Sequence, residues 1–258
     1  VWVYSVVCAV ALLASALTFF SGFGLGTLLL PAFVLFFPVE KAIALTAVVH
    51  FLNGGFKLLL VRRHIDFRVA IRFGLPAVVA SFAGAWLLLV AADAAPIASY
   101  TLFGRTYTVM PVKLLVGVLL MLFATLELSS RFRGVAFPAR YLPFGGVLSG
   151  FFGGLSGMQG ALRSAFLVKA GLTKEAYVAT GAAVAFAIDI ARLSVYWQTF
   201  ATLQSQSEYA LLASAALAAF IGAYLGNRLL PKVTMAGIQR VVAVLLFLVA
   251  AGLISGVL

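Results

Sequence analysis

Residues Gly153–Phe166 read GGLSGMQGALRSAF, and residues Ser21–Phe33 read SGFGLGTLLLPAF. Each sets a cluster of glycines near the middle of a long apolar stretch, Tyr141–Ala170 in one case and Val3–Phe37 in the other. An unbroken run of about 20 apolar residues would be a transmembrane helix. Glycine costs a helix about 1 kcal/mol per position and accepts dihedrals that other residues avoid. Each stretch therefore reads as two short helical arms joined by a break. Irregular backbone within a bilayer survives only when it is buried in protein or lines a cavity. The two breaks are where chemistry is expected.

Outward from them, six segments are long enough to span a membrane: Ala42–Val61, Val69–Ala91, Val109–Ser129, Ala176–Gln198, Tyr209–Leu230 and Gly237–Val257. Of the 258 residues, 64% are hydrophobic and 10% charged, with a mean hydropathy of +1.15. A soluble domain carries about 25% charged residues. Soluble enzymes, nucleic-acid binders and disordered tails are thereby disfavoured together. The net charge of +11, from 18 basic and 7 acidic residues, reads as basic cytoplasmic loops rather than a nucleic-acid footprint. A single cysteine, Cys8, allows no intrachain disulfide and reads as a small buried filler. The apolar opening lacks a basic leader and is read as membrane domain rather than a cleaved signal.

The chain repeats itself. Phe23–Phe33 (FGLGTLLLPAF) lies over Ser156–Phe166 (SGMQGALRSAF), Ser81–Leu87 (SFAGAWL) over Ala219–Leu225 (AFIGAYL), and Val118–Leu122 (VLLML) over Val244–Leu248 (VLLFL). Each half is one broken segment followed by three full spans. If each broken segment crossed once, the basic loop residues would divide almost evenly between the two sides. If each dips in and returns, Arg62, Arg63, Arg68, Arg72, Arg131, Arg133, Arg140, Lys169, Lys174, Arg228, Lys232 and Arg240 share one face. Lys41, Arg105 and Lys113 alone then lie opposite. That imbalance is the positive-inside pattern. Three full spans per half is an odd number, so the halves are expected upside down to one another. Inverted repeats with interrupted helices are a transporter design, with the site near midplane where the repeats meet.

The expected fold is an all-α polytopic membrane protein of two inverted-topology repeats. Each repeat is a glycine-broken re-entrant helical hairpin plus three full transmembrane helices. Residues 1–258 form one membrane domain, with repeat one at 1–130, a cytoplasmic linker at 131–138 and repeat two at 139–258.

Three basic residues stay inside the apolar segments: Lys57, Arg163 and Arg192, accompanied by His50, Asn53 and Asp189. An ionisable group at a span's centre costs roughly 2.5–3.5 kcal/mol on insertion, so each needs a reason. Arg163 follows the second break directly, in the first turns of a short helix whose free N–H groups favour an anion. Its planar fork suits an oxyanion; the alternative is a tether between repeats. Gly24 and Gly26 at the first break, and Gly157, Gln159 and Gly160 at the second, would add backbone or amide donors. Thr46, Thr180 and Ser156 are weaker polar groups of the same segments. His50, Asn53 and Lys57 are spaced i, i+3, i+7 and share a helix face. They would contact an anion, although Lys57 could instead snorkel towards Arg62 and Arg63. Asp189 and Arg192, at i and i+3, pair either as structural glue or as a coupling or gating switch released by protonation.

These features resemble the TauE/SafE family of membrane transporters, the sulfite exporter type. The likeness rests on GFGLGTLLLP (Gly22–Pro31), the Ala42 to Thr46 spacing and the basic turn RRHIDFR (Arg62–Arg68). In the second half it rests on GGLSGMQG (Gly153–Gly160), KEAYVATG (Lys174–Gly181) and GAYLGNRLL (Gly222–Leu230). It covers essentially the whole chain. The resemblance implies movement of small sulfur-containing anions: sulfite, or organosulfonates such as sulfoacetate. One departure is Ser164, where the first half and the family pattern carry a proline such as Pro31.

The sequence is read as a secondary transporter exporting such an anion across a bacterial inner membrane by alternating access. Its partners are the small anion and the lipid bilayer; no nucleic acid, cofactor, metal or catalytic residue is expected, and homo-oligomerisation is left open. No G-x4-G-K-S/T motif occurs, so energy would come from gradients or the membrane potential. The rivals are an anion channel with the same basic lining, an intramembrane enzyme and a membrane scaffold. Two histidines and one cysteine make the enzyme poor, and a scaffold would not need charges in its spans.

Overall fold

The computed structural model describes residues 2–21, 25–129, 132, 134–197, 206–229 and 236–258. Among them run ten α-helices. The first five are α1 (Trp2–Ser21), α2 (Leu25–Val34), α3 (Val39–Val61), α4 (Phe67–Asp93) and α5 (Pro111–Leu128). The second five are α6 (Leu142–Ser156), α7 (Gly160–Leu167), α8 (Lys174–Val195), α9 (Gln206–Leu229) and α10 (Ala236–Ser255).

Local chemistry sets the boundaries. Asp66 caps α4 by accepting from the Val69 N–H at 2.9 Å, and Thr173 caps α8 by accepting from Ala176 at 3.2 Å. Pro111 opens α5, where its missing N–H costs nothing. Gly157 ends α6 in the left-handed region, φ +79°, with its N–H on the Gly153 carbonyl at 2.9 Å.

Four helical segments are long and apolar enough to cross a bilayer: Val39–His64, Phe67–Asp93, Lys174–Val195 and Glu208–Gly226. The helices α5 and α10, of 18 and 20 residues, occupy the other two expected spans. The molecule is a helical multi-pass membrane protein. The broken segments have unequal arms: 20 and 10 residues in α1 and α2, 15 and 8 in α6 and α7. At 1.5 Å per residue, α1 is about 30 Å long and could cross by itself, whereas α6 reaches only about 22 Å.

The helical fold carries one further feature, in the connection from α4 to α5. Ala98–Leu102 (β1) and Arg105–Val109 (β2) form an antiparallel hairpin with Leu102 opposite Arg105. Phe103 and Gly104 both take positive φ, as a two-residue turn of this kind requires. The alternation in ASYTLFGRTYTV carried that signal. Apolar spans on either side masked it.

The long helices pack as α1 on α9, α4 on α6, α3 on α8 and α5 on α10. In α6, Gly146, Gly150 and Gly154 press on the α4 backbone at Phe73, Ala77 and Ser81, with no room for a Cβ. Numbers rise together along this seam, so α4 and α6 run parallel. Gly222 and Gly226 of α9 press likewise on Leu12 and Ala16 of α1, a second parallel pair. By contrast, His50 meets Asp189, Gly55 meets Phe186 and Asp66 meets Thr180, so α3 and α8 run antiparallel. Gly117 lies at Ala250 and Gly256 at Thr108, so α5 and α10 do too. Small residues at such seams let backbones close where lipid supplies no hydrophobic drive.

Candidate functional site

The two breaks meet. A Cβ added to Gly26 would stand 3.3 Å from the Gly157 carbonyl oxygen and 3.8 Å from Thr46 Cγ2 on α3. On the other side of Gly157 lies the Arg192 guanidinium, whose Nη1 would be 2.6 Å from a Cβ there. Only a glycine allows both the left-handed turn and this close approach. Gly24 falls outside the described residues.

Asp189, with no exposure, is the hub of the polar contacts. Its Oδ1 accepts from Arg192 Nε at 2.9 Å, while Arg192 Nη2 stands 2.8 Å from the same oxygen without hydrogen-bond alignment. Its Oδ2 is 2.5 Å from Nδ1 of His50, which reaches across from α3. Arg192 is itself fully buried. Arg163, on α7, lies within electrostatic reach of Asp189 and Tyr177, and it repels Lys57. Gly181 on α8 makes space for its side chain. Ser164, the departure from proline, accepts a hydrogen bond from the Tyr177 hydroxyl at 2.9 Å.

The shared face expected of His50, Asn53 and Lys57 divides. His50 turns to Asp189. Asn53, buried, accepts from the Ser15 hydroxyl of α1 at 3.0 Å, and Lys57 Nζ points to the Ser15 carbonyl at 3.5 Å. Tyr196, at the end of α8, is buried, its hydroxyl donating to the Gly154 carbonyl. Sequence reasoning missed Ser15, Tyr177 and Tyr196 as polar partners. Ser15 and the two tyrosines look like ordinary span or interface residues until the helices are docked.

Several polar atoms here are buried without a protein partner among the described residues: Thr46 Oγ1, both amide atoms of Gln159, Arg163 Nη1 and Arg192 Nη1. Gln159 begins α7, whose first N–H groups have no intrahelical acceptor. Unpaired buried donors are costly, roughly 1–3 kcal/mol each and more when charged. Two cations, Arg163 and Arg192, face one carboxylate, Asp189, and Lys57 lies within electrostatic reach of Arg163.

At the end of α3 remote from its Arg62–Arg63 turn, Lys41 pairs with Glu208 of α9 at 2.5 Å, joining the two halves.

A family model described as the sulfite exporter TauE/SafE matches residues 7–253. The chain belongs to the TauE/SafE family. That is a family of membrane transporters, and the match spans both breaks and every residue of the polar cluster. No curated protein and no solved structure matches the chain.

Proposed function

We propose that this TauE/SafE protein is a secondary transporter that moves a small sulfur oxyanion, sulfite or an organosulfonate such as sulfoacetate, out across a bacterial inner membrane. The observation that carries this reading is the surplus of buried positive charge and unpartnered donors where the two breaks touch. An anion placed among Arg163, Arg192, Gln159 and Gly157, with Lys57 opposite, would neutralise that surplus and occupy the idle donors. Lysine gives a point charge and arginine a fork, which together suit a tetrahedral or pyramidal oxyanion.

Alternating access would come from inverted repeats at 1–130 and 139–258. What supports it is the running direction of the helices. Because α4 and α6 are parallel while α3 and α8 are antiparallel, the chain between α6 and α8 enters and leaves on one side. The parallel pair α1 and α9 requires the same of the first broken segment. The set of packing partnerships is also preserved when α1–α5 are exchanged for α6–α10: α1–α9 and α4–α6 trade places, and α3–α8 and α5–α10 each return to themselves. Rocking one half against the other would break the Lys41–Glu208 pair at one end of the site. An inside-negative potential drives anion export, worth about 2.3 kcal/mol per charge per 100 mV.

The test is thermal stability of the detergent-purified protein against a panel of anions, for the wild type and Arg163→Ala. A ligand bound by the folded state alone raises its melting temperature by mass action. The expected result is a rise with sulfite or a sulfonate that Arg163→Ala loses while staying folded. Equal stabilisation of both proteins would make Arg163 a tether and misplace the site.

A further inference from the structure

The anion reading leaves one feature idle: the contact between His50 and Asp189. We propose that the protein carries a proton together with its anion, and that the His50 imidazole, backed by Asp189, binds that proton. The proposal rests on the transporter reading above. At 2.5 Å, Nδ1 of His50 and Oδ2 of Asp189 share a proton, since two lone pairs would not approach so closely. Asp189 is ion-paired with Arg192 as a carboxylate, which makes Nδ1 the donor and leaves Nε2 to take up or release a second proton. Asp189 has no exposure, whereas the His50 side chain keeps 11%. The ring is thus the member of the pair that reaches out of the interior. Imidazole is also the side chain whose ordinary titration lies between pH 5 and 8.

The surrounding charges set the sign. Arg192 on α8 and Arg163 on α7 face the pair, and Lys57 stands two turns further along α3. The helices α2 and α6 contain no ionisable residue. Those of α4 (Arg68, Arg72 and Asp93) lie towards its ends, and its Gly74 packs at Val184. On α9, Glu208 is engaged by Lys41. Among the described residues, the charged groups facing the ring other than Asp189 are cations. An anion among them favours another positive charge on the ring, and by reciprocity a protonated ring favours the anion. The two then cross together. A monovalent sulfonate moves as a neutral pair, and a dianion such as sulfite keeps one net charge for the potential to act on.

Proteoliposomes with a trapped pH indicator test this, using 2-hydroxyethanesulfonate, a strong-acid anion that does not titrate near neutrality. The expected wild-type result is about one proton per sulfonate in the same direction, at a rate indifferent to an imposed potassium-diffusion potential. His50→Gln keeps a donor for Asp189 but cannot take a proton. Its proton-to-sulfonate ratio should fall to zero and its flux should become potential-dependent. Wild-type sulfonate flux that follows the potential without proton movement overturns the proposal and leaves the transporter reading intact. An unchanged ratio in His50→Gln overturns the assignment to that ring. Should His50→Gln fail to fold or transport, wild-type sulfonate affinity is decisive. It should strengthen as pH falls, by up to about tenfold per pH unit, and a pH-independent affinity refutes the proposal. Absence of any anion flux or binding by folded wild type removes the transporter reading itself, and the proposal with it.

Discussion

At the first break the backbone is bare: Gly26 meets Gly157, Pro31 sits inside α2, and Leu30 is fully buried. At the second, Arg163 occupies the position that Leu30 holds in the repeat, Ser164 replaces the proline, and Gln159 stands where Gly26 stands. The long arms differ in the same sense. The arm α1 is long and is received by glycines of its partner α9, whereas α6 is short and supplies its own glycines to α4. One break therefore contributes shape and the other contributes charge. In the duplicated scaffold proposed above, two irregular backbones come together and only one of them needs to carry a costly ionisable group.

The largest effect should come from the seams. Gly150→Ala would drive a methyl group onto the Ala77 carbonyl, where rigid backbone faces rigid backbone. The helices would have to separate along a seam of several glycines. A loss of about 3 kcal/mol or more, or failure to yield a monodisperse protein, is expected. Gly226→Ala meets the Ala16 carbonyl at 2.5 Å and should cost less, because the α1–α9 seam has fewer such contacts. Detergent melting temperatures of the two variants check the order, and equal losses would mean the seams are equivalent despite their different glycines.

Next come the equivalent positions Leu30 and Arg163. Leu30→Ala should lower stability by about 2–5 kcal/mol and leave anion-dependent stabilisation in place. Arg163→Ala should do the reverse. If both variants lose the anion response, charge and shape are not divided between the breaks, and the comparison fails.

The breaks themselves give a third contrast. Gly157→Ala must hold a left-handed conformation that costs about 1–2 kcal/mol, and it must also push Arg192 away. Gly26→Ala meets its nearest neighbour at 3.3 Å and needs a shift of only tenths of an ångström. Anion affinity should fall at least about tenfold in the first variant, from the displaced guanidinium, and change little in the second. Binding titrations read both.

Much of this was legible before any coordinates. Glycine spacing marked both breaks, and the length of the apolar runs gave six helices within a few residues of α3, α4, α5, α8, α9 and α10. The candidate cations were conspicuous because an apolar span makes any charge stand out. What the residues could not give was their pairing. His50, Asn53 and Lys57 share one face of α3, yet α3 meets α8 at His50 and α1 at Asn53, so neighbouring positions answer to different partners. Helical period says which way a side chain points, and docking alone says what it meets. The β-hairpin was lost for another reason: its alternation is short and its strands are mostly exposed, so hydropathy carries little of it.

The finest test asks why the charged break uses arginine. Arg163→Lys keeps the positive charge and the aliphatic stem, so the fold and the repulsion with Lys57 should persist. It removes the planar fork, and with it the paired hydrogen bonds an oxyanion can accept. Affinity for a sulfonate should then fall by about tenfold, equal to about 1.4 kcal/mol, with little change in melting temperature without ligand. Leu30→Met at the equivalent place, a volume-conserving exchange, should leave affinity unchanged and cost less than about 1.5 kcal/mol in stability. A lysine that binds sulfonate as well as the arginine would mean that net charge alone holds the anion at the second break. Specificity between oxyanions would then have to come from neutral groups: Gln159 and the Gly157 backbone of the second break, and Thr46 of α3.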